Sequence, residues 1–192
     1  MNFFYVYAYS WTPGFCYQNS YPGCLQPQEY WKHNFTIHGL WPQFWESGYP
    51  SYCTNETFNV ENVEWNPMIQ RFPNVKYIET DPEYTSFWNH EWTKHGTCSG
   101  LSQQNYFQEC LRLTDILLTP EILQTSVLEA DLLREALGGN VALQCNNQIL
   151  TGVYSCWQCD GNGFPTTQID CPAEIMHEDT CRKSENITVL GL

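Results

Sequence analysis

The sequence predicts an α+β fold: a single domain over residues 1–192, in which a central antiparallel β-sheet packs against several helices and disulfides stabilise the whole. A chain of 192 residues fits one domain. Strand-like runs occupy both ends of the chain and helical spacing fills the middle, an order typical of α+β folds rather than of alternating βαβ units. Ten cysteines allow up to five disulfides.

Aromatic residues and turn signals dominate the first third of the chain. Residues 3–10 and 34–40 are rich in β-branched and aromatic side chains and are bounded by Pro and Gly, so we predict two strands there. The segments Thr12-Pro13-Gly14 and Tyr21-Pro22-Gly23 are expected to turn.

Helical spacing of apolar residues appears in three middle segments, which are residues 86–94, 104–118 and 126–137. The third has the pattern of a capping box, Ser126 followed by Glu129, and should end at Gly138-Gly139. After it, residues 141–145 and 148–157 return to strand patterns around an Asn146-Asn147 turn, and a cysteine-rich tail follows.

The net charge of the chain excludes one class of function. With 8 basic and 21 acidic residues the net charge is −13, which excludes a nonspecific nucleic-acid coat because such binding depends on clustered Lys and Arg. It does not exclude a nucleic-acid enzyme. No run approaches the roughly 18 apolar residues of a membrane helix, so no membrane span is expected.

Cysteines and glycosylation motifs indicate the compartment. An even count of ten cysteines suits an oxidising environment. Three N-glycosylation motifs begin at Asn34, Asn55 and Asn186. We therefore expect a glycoprotein that is secreted or resides in a lysosomal or vacuolar lumen. The start lacks a basic n-region, and we interpret it as that of a mature chain.

Two short segments concentrate the ionisable groups. One is Phe35-Thr36-Ile37-His38-Gly39-Leu40-Trp41-Pro42, and the other is His90-Glu91-Trp92-Thr93-Lys94-His95-Gly96-Thr97-Cys98. If the second is helical, His90 and Lys94 share one face, and Glu91 is likewise four residues before His95. Such crowding shifts pKa values towards those that acid–base catalysis needs.

Two other interpretations of these residues are a metal site and core packing. Zinc peptidases carry His-Glu-x-x-His, but here the second histidine comes one residue later, which rotates it by about 100°. Lys94 would also repel a cation, so no metal is expected. His38 alone could be a buried core histidine and Trp41 a core residue, but Gly39 between them leaves room for a substrate.

Both segments resemble the two active-site motifs of the ribonuclease T2 family, the secreted and endolysosomal acid endoribonucleases. The first motif matches through His38, Gly39, Leu40, Trp41 and Pro42, together with Phe35 and Ile37. The second matches through His90, Glu91, Trp92, Lys94, His95, Gly96, Thr97 and Cys98. Similarity extends more loosely along the whole chain.

The resemblance implies a mechanism and a role for each residue. His95 would be the general base and His38 the general acid, while Lys94 and Glu91 would stabilise the phosphorane. The substrate-binding residues would be His90, Trp41 and Gln43. Single-stranded RNA would be cleaved through a 2′,3′-cyclic phosphate to 3′-phosphate ends with an acidic pH optimum, DNA would not be cleaved, and no cofactor is expected. A nucleobase can stack on an aromatic face such as that of Trp41 whatever the sequence, so base preference should be low. Ser10 and Gln43 stand where relatives often have Gln and Asp or Asn, and these two departures leave open which base is preferred.

The family pattern also implies disulfides. The expected pairs are Cys53–Cys98, Cys145–Cys181, Cys156–Cys171 and Cys16–Cys24. Cys110 and Cys159 are left over; a bond between them is expected, and a free thiol is the alternative.

Two other function classes stay open. The chain could keep this fold for recognition, defence or storage, although the intact His38, Glu91, Lys94 and His95 favour an enzyme. A zinc hydrolase is disfavoured by the histidine spacing. We expect a monomer.

Overall fold

A seven-stranded sheet organises residues 3–182 and 185–191, which are the residues that the computed structural model of the chain describes. The predicted domain also includes residues 1–2, 183–184 and 192, which lie outside the described residues. The strands are β1 Phe3–Ser10, β2 Thr36–Phe44, β3 Val127–Glu129, β4 Ala142–Asn146, β5 Ile149–Cys159, β6 Pro165–Ile169 and β7 Asn186–Thr188.

Eight α-helices accompany these strands within the described part of the chain. They are α1 Thr12–Phe15, α2 Pro22–Leu25, α3 Glu29–His33, α4 Trp65–Arg71, α5 Ser86–Lys94, α6 Gln103–Ile116, α7 Ala130–Ala136 and α8 Ala173–Met176. None of the described helices is long and apolar enough to cross a membrane.

The sheet is built around β1 and β5. β1 pairs antiparallel with β2 on one side and with β5 on the other. β5 also pairs antiparallel with β4 and β6, and it meets β7 through one parallel pair, Ile149 with Thr188. The predicted α+β fold with a mainly antiparallel sheet is confirmed, since the other pairings of the described strands are antiparallel.

Alternation along β1 separates two apolar layers. Tyr5, Tyr7 and Tyr9 enter the larger core, which includes side chains from α4, α5 and α6. Phe4 and Val6 point to the opposite face of the sheet and pack in a smaller cluster with Ile175 of α8. This is the period-two pattern of a strand buried on both faces.

One predicted element differs from the structure. The segment predicted as a helix over residues 126–137 begins with β3, and α7 starts only at Ala130. The capping-box interpretation of Ser126 and Glu129 is wrong: Glu129 is the N-cap residue, but its side chain makes no capping hydrogen bond. Pairing of β3 with the distant β7 outweighs the local helical pattern. The predicted end at Gly138-Gly139 agrees with the positive φ of both glycines.

Four disulfides have the pairing that the family pattern implied, namely Cys16–Cys24, Cys53–Cys98, Cys145–Cys181 and Cys156–Cys171. The expected bond between Cys110 and Cys159 is not formed, and both are free thiols. Cys110 is completely buried on α6, whereas the Cys159 thiol at the end of β5 lies 3.1 Å from the Phe3 carbonyl oxygen.

Candidate active site

Two elements bring the predicted site residues together. β2 carries His38, Gly39 and Trp41, and α5 carries His90, Glu91 and Lys94, with His95 as its C-cap. The core residues Trp88 and Trp92 anchor α5, and the Trp88 indole donates to the Phe72 carbonyl at 2.6 Å. This anchoring turns Glu91 and His95 towards the strand.

Trp41 contacts three ionisable groups of the site. Its Nε1–H donates to Oε2 of Glu91 at 2.7 Å. Its ring stacks on His95 with centroids 5.2 Å apart and meets the His38 ring edge-on at 5.1 Å. The other carboxyl oxygen of Glu91, Oε1, lies 3.9 Å from Nε2 of His38. Trp41 therefore links both histidines and the carboxyl group in one packed unit.

Gly39 provides the space for this hydrogen bond. A Cβ atom at this position would lie 2.1 Å from Oε2 of Glu91 and 2.4 Å from Nε1 of Trp41. Both separations are well inside van der Waals contact. The space beside Gly39, which the sequence suggested was left for a substrate, is therefore filled by the carboxyl group of Glu91 and the indole of Trp41.

Burial shifts the pKa values of the central groups. Burial raises the pKa of Glu91 to about 8, against the lowering effects of the Trp41 hydrogen bond and the Lys94 charge. Burial, then Lys94 and His90, lowers the pKa of His95 to about 3. Burial, then His90 and Lys94, lowers the pKa of His38 to about 4. Because the His38 side chain is 44% exposed, solvent offsets part of this effect.

Three predicted residues, Lys94, His90 and Gln43, lie outside this packed unit. Lys94 places its ammonium 5.8 Å from the centroid of the Tyr49 ring. His90 is exposed, and burial is the main cause of its lowered pKa. Gln43 lies in β2 at 8% exposure, and its amide has no hydrogen-bond partner within residues 3–182 and 185–191. The structure therefore leaves Gln43 as the predicted residue least connected to the site.

A cavity of about 610 Å³ opens beside His38 and is large enough for a small ligand. Its lining includes His38, His90 and Glu91, and residues that sequence reasoning missed: Asn74, Lys76, Phe87 and Tyr154. Phe87 and Tyr154 lie in predicted elements, but no motif marks any of the four as a site residue. Among the described residues no group of three or more His, Cys, Asp or Glu side chains could hold a metal ion.

A family model described as "Ribonuclease T2 family" matches residues 1–171, and the chain belongs to the ribonuclease T2 family. It is a T2-type endoribonuclease.

Comparisons with individual proteins agree with the family. The chain is 30% identical over 194 residues to extracellular ribonuclease LE of Solanum lycopersicum, covering 88% of this chain and 80% of that protein. It is 29% identical over 198 residues to intracellular ribonuclease LX of the same species, covering 88% and 77%. A crystal structure of an RNase MC1 variant with 5′-GMP superposes with a TM-score of 0.75 at 24% identity, covering 98% of this chain and all of that one. This likeness shows the shared fold.

Proposed function

We propose that the protein cleaves single-stranded RNA by transesterification, with His95 as general base and His38 as general acid. The observation that carries the proposal is that both histidines contact the same Trp41–Glu91 pair. Two proton-transfer groups held on one rigid unit suit a reaction that removes one proton and supplies another.

The reaction transfers two protons and exchanges one phosphorus–oxygen bond for another. His95 takes the proton of the ribose 2′-hydroxyl, whose oxygen bonds to the adjacent phosphorus. The bond from phosphorus to the 5′-oxygen breaks, and His38 gives its proton to that leaving oxygen. The product is a 2′,3′-cyclic phosphate, which water opens to a 3′-phosphate with the two histidines exchanging roles. DNA lacks the 2′-hydroxyl and is not cleaved.

Glu91 and Lys94 stabilise the extra charge on the phosphoryl group. With its pKa raised to about 8, Glu91 is a protonated carboxylic acid at acidic pH. Its Oε2 accepts the Trp41 hydrogen bond, so Oε1 is the oxygen free to carry the proton and donate it to a phosphoryl oxygen. Lys94 supplies a cation, and His90 at the cavity rim holds the phosphate.

The leaving nucleoside occupies the cavity beside His38. General acid catalysis requires the leaving 5′-oxygen to lie within hydrogen-bonding reach of His38. Of the two histidines, His38 lines this cavity and His95 does not. The other nucleobase lies on the Trp41 side, where an aromatic ring stacks on any base and so confers little base preference. Gln43 belongs to this side as a weak contact.

An acidic optimum follows from the histidine pKa values. The base His95 must be neutral, so kcat/KM falls as pH drops towards about 3. The acid His38 must be protonated, so kcat/KM falls as pH rises above about 4 or, with solvent offsetting its burial, somewhat higher. A bell-shaped profile with its maximum below neutrality is expected, and a maximum at or above pH 7 would contradict these roles.

The whole chain, residues 1–192, acts in this proposal as one monomeric catalytic domain that needs no metal or cofactor. Four disulfides support a secreted or lysosomal or vacuolar location, although named relatives include both extracellular and intracellular enzymes. Asn55 and Asn186 are exposed, as glycosylation requires, while Asn34 is half-buried and its amide donates to the Tyr30 carbonyl.

The test is cleavage of single-stranded RNA at about pH 5 in EDTA by the native chain, His38→Ala and His95→Ala, with identification of the product ends. Cyclic-phosphate ends from the native chain and loss of activity in both variants are expected. A folded native chain without activity would favour the binding or storage role, and activity that EDTA abolishes would favour a metal-dependent hydrolase.

A further inference from the structure

Most cations of this acidic chain are paired with carboxylates. Seven of the eight basic residues are described, and five of them form ion pairs, which are Lys32, Arg71, Arg112, Arg134 and Arg182. Among the described cations this leaves Lys76 and Lys94 without an acidic partner. Each of these two instead places its ammonium 5.8 Å from the centroid of a tyrosine ring, Tyr21 for Lys76 and Tyr49 for Lys94.

Both unpaired lysines lie at the catalytic cleft. Lys94 belongs to the catalytic helix α5, and Lys76 lines the cavity that also contains His38 and His90. In a chain with a net charge of −13, an unpaired cation on the cavity wall would attract a polyanionic substrate to this cavity.

The segment that carries Lys76 is fixed from two sides. The buried Asn74 amide donates to the Tyr84 carbonyl at 3.0 Å and accepts from the backbone N–H of Lys76 at 3.3 Å. The Val75 carbonyl accepts from the Gly23 N–H at 2.9 Å, and a Cβ on Gly23 would lie only 2.7 Å from the Cα of Val75. The backbone beneath the exposed Lys76 side chain is therefore positioned before any ligand binds.

We propose that Lys76 binds the phosphate on the 3′ side of the leaving nucleoside. This inference rests on the proposed function, which places the leaving nucleoside in the cavity beside His38. A longer RNA continues from that nucleoside through its 3′-phosphate, and Lys76 is the described cation on that cavity's wall that has no acidic partner. Lys76 thus defines a second phosphate subsite, separate from the scissile phosphate held near Lys94 and His90.

The test compares two substrates that differ by one phosphate: a dinucleoside monophosphate, XpY, and the same molecule with a 3′-terminal phosphate, XpYp. The native enzyme should cleave XpYp with about three- to fivefold higher kcat/KM, the gain typical of one exposed ion pair. Lys76→Gln should abolish this advantage, so that the ratio of kcat/KM for XpYp to that for XpY falls to about 1, while Lys76→Arg should restore the ratio. Lys32→Gln, at a lysine already paired with Glu29, is the matched control and should behave like the native enzyme.

Salt dependence gives a second readout on longer RNA. Each phosphate contact contributes about 0.7 to the slope of log affinity against log salt for single strands. Lys76→Gln should therefore reduce that slope by about 0.7 in KM-limited cleavage of an oligonucleotide.

Two outcomes would overturn the proposal. One is an unchanged XpYp advantage in Lys76→Gln. The other is an equal loss on XpY and XpYp, which would place Lys76 on the base or on the scissile phosphate. Failure of the native enzyme to cleave either substrate would instead refute the proposed function itself.

Discussion

A single methyl group at position 39 should disable the site while leaving the fold intact. In Gly39→Ala the new Cβ would lie 2.1 Å from Oε2 of Glu91 and 2.4 Å from Nε1 of Trp41. Ordinary contact requires more than 3.4 Å, so one of these groups must move by about 1 Å. Gly39 pairs with Ala8 within the sheet and is not among the glycines with positive φ, so the backbone itself accepts alanine.

The displacement separates the carboxyl group from the indole and shifts the group that both histidines contact. A misplacement of about 1 Å in a catalytic arrangement costs about 100-fold in rate. We therefore expect kcat for single-stranded RNA to fall about 100-fold near pH 5, with a smaller change in KM. Overpacking of this kind costs stability by about 1–3 kcal/mol, which a disulfide-bonded domain should tolerate.

Steady-state kinetics and thermal unfolding measured on the same preparations would separate the two effects. Gly161→Ala is the matched control, because a Cβ there meets no atom within 4 Å, and its kinetics should equal those of the native enzyme. A folded Gly39→Ala variant with kcat within threefold of the native value would refute the reasoning.

Three further results are expected. Because the pKa of Glu91 rises from 4.5 to about 8 on folding, its contribution to stability is present below pH 4.5 and is lost as pH rises towards 8. Glu91→Gln should therefore raise the free energy of unfolding by about 3 kcal/mol at pH 7 but little at pH 4, while lowering kcat. Urea titrations that show equal effects at both pH values would contradict this. The Cys53–Cys98 disulfide closes a 45-residue separation and ties the end of α5 to the segment after β2, so replacing both cysteines by serine should lower the free energy of unfolding by about 4 kcal/mol and reduce kcat. The same change at Cys16–Cys24 should lower it by about 2.5 kcal/mol and leave kcat unchanged. Equal kcat in both variants would show that the Cys53–Cys98 bond does not support the site. Thiol titration should find two reactive thiols per unfolded chain. In the native protein, Cys159 should react slowly and the buried Cys110 should not react. An absence of thiols after unfolding would show that Cys110 and Cys159 form a disulfide.

Motif-dense parts of the structure were predictable from the sequence. The bounds of β1 and α5 agree with the patterns of residues 3–10 and 86–94, because strong periodicity coincides there with clear turn signals. The residues brought together by Trp41 were all identified from the two histidine segments. Their contact could be anticipated only through the family resemblance, since about 40 residues separate the end of β2 from the start of α5.

The remaining features depend on long-range contacts that no local pattern records. The segment at Ser126 has a helical pattern, but strand pairing with residues 186–188 decides its conformation. Lys76 follows no motif, and its role becomes visible only after the ion pairs of the other described cations are known. The free state of Cys110 depends on the burial of its helix, which cysteine counting cannot reveal.

The position of β1 in the sheet has a consequence for synthesis of the chain. This strand is made first, yet its partner β5 begins at residue 149, about 140 residues later. At about 5–20 residues per second, β1 waits roughly 7–28 s with one edge unpaired. An exposed aromatic strand of this kind is prone to intermolecular pairing. The nascent protein therefore exposes an aggregation-prone strand edge until translation supplies the strand that completes its sheet.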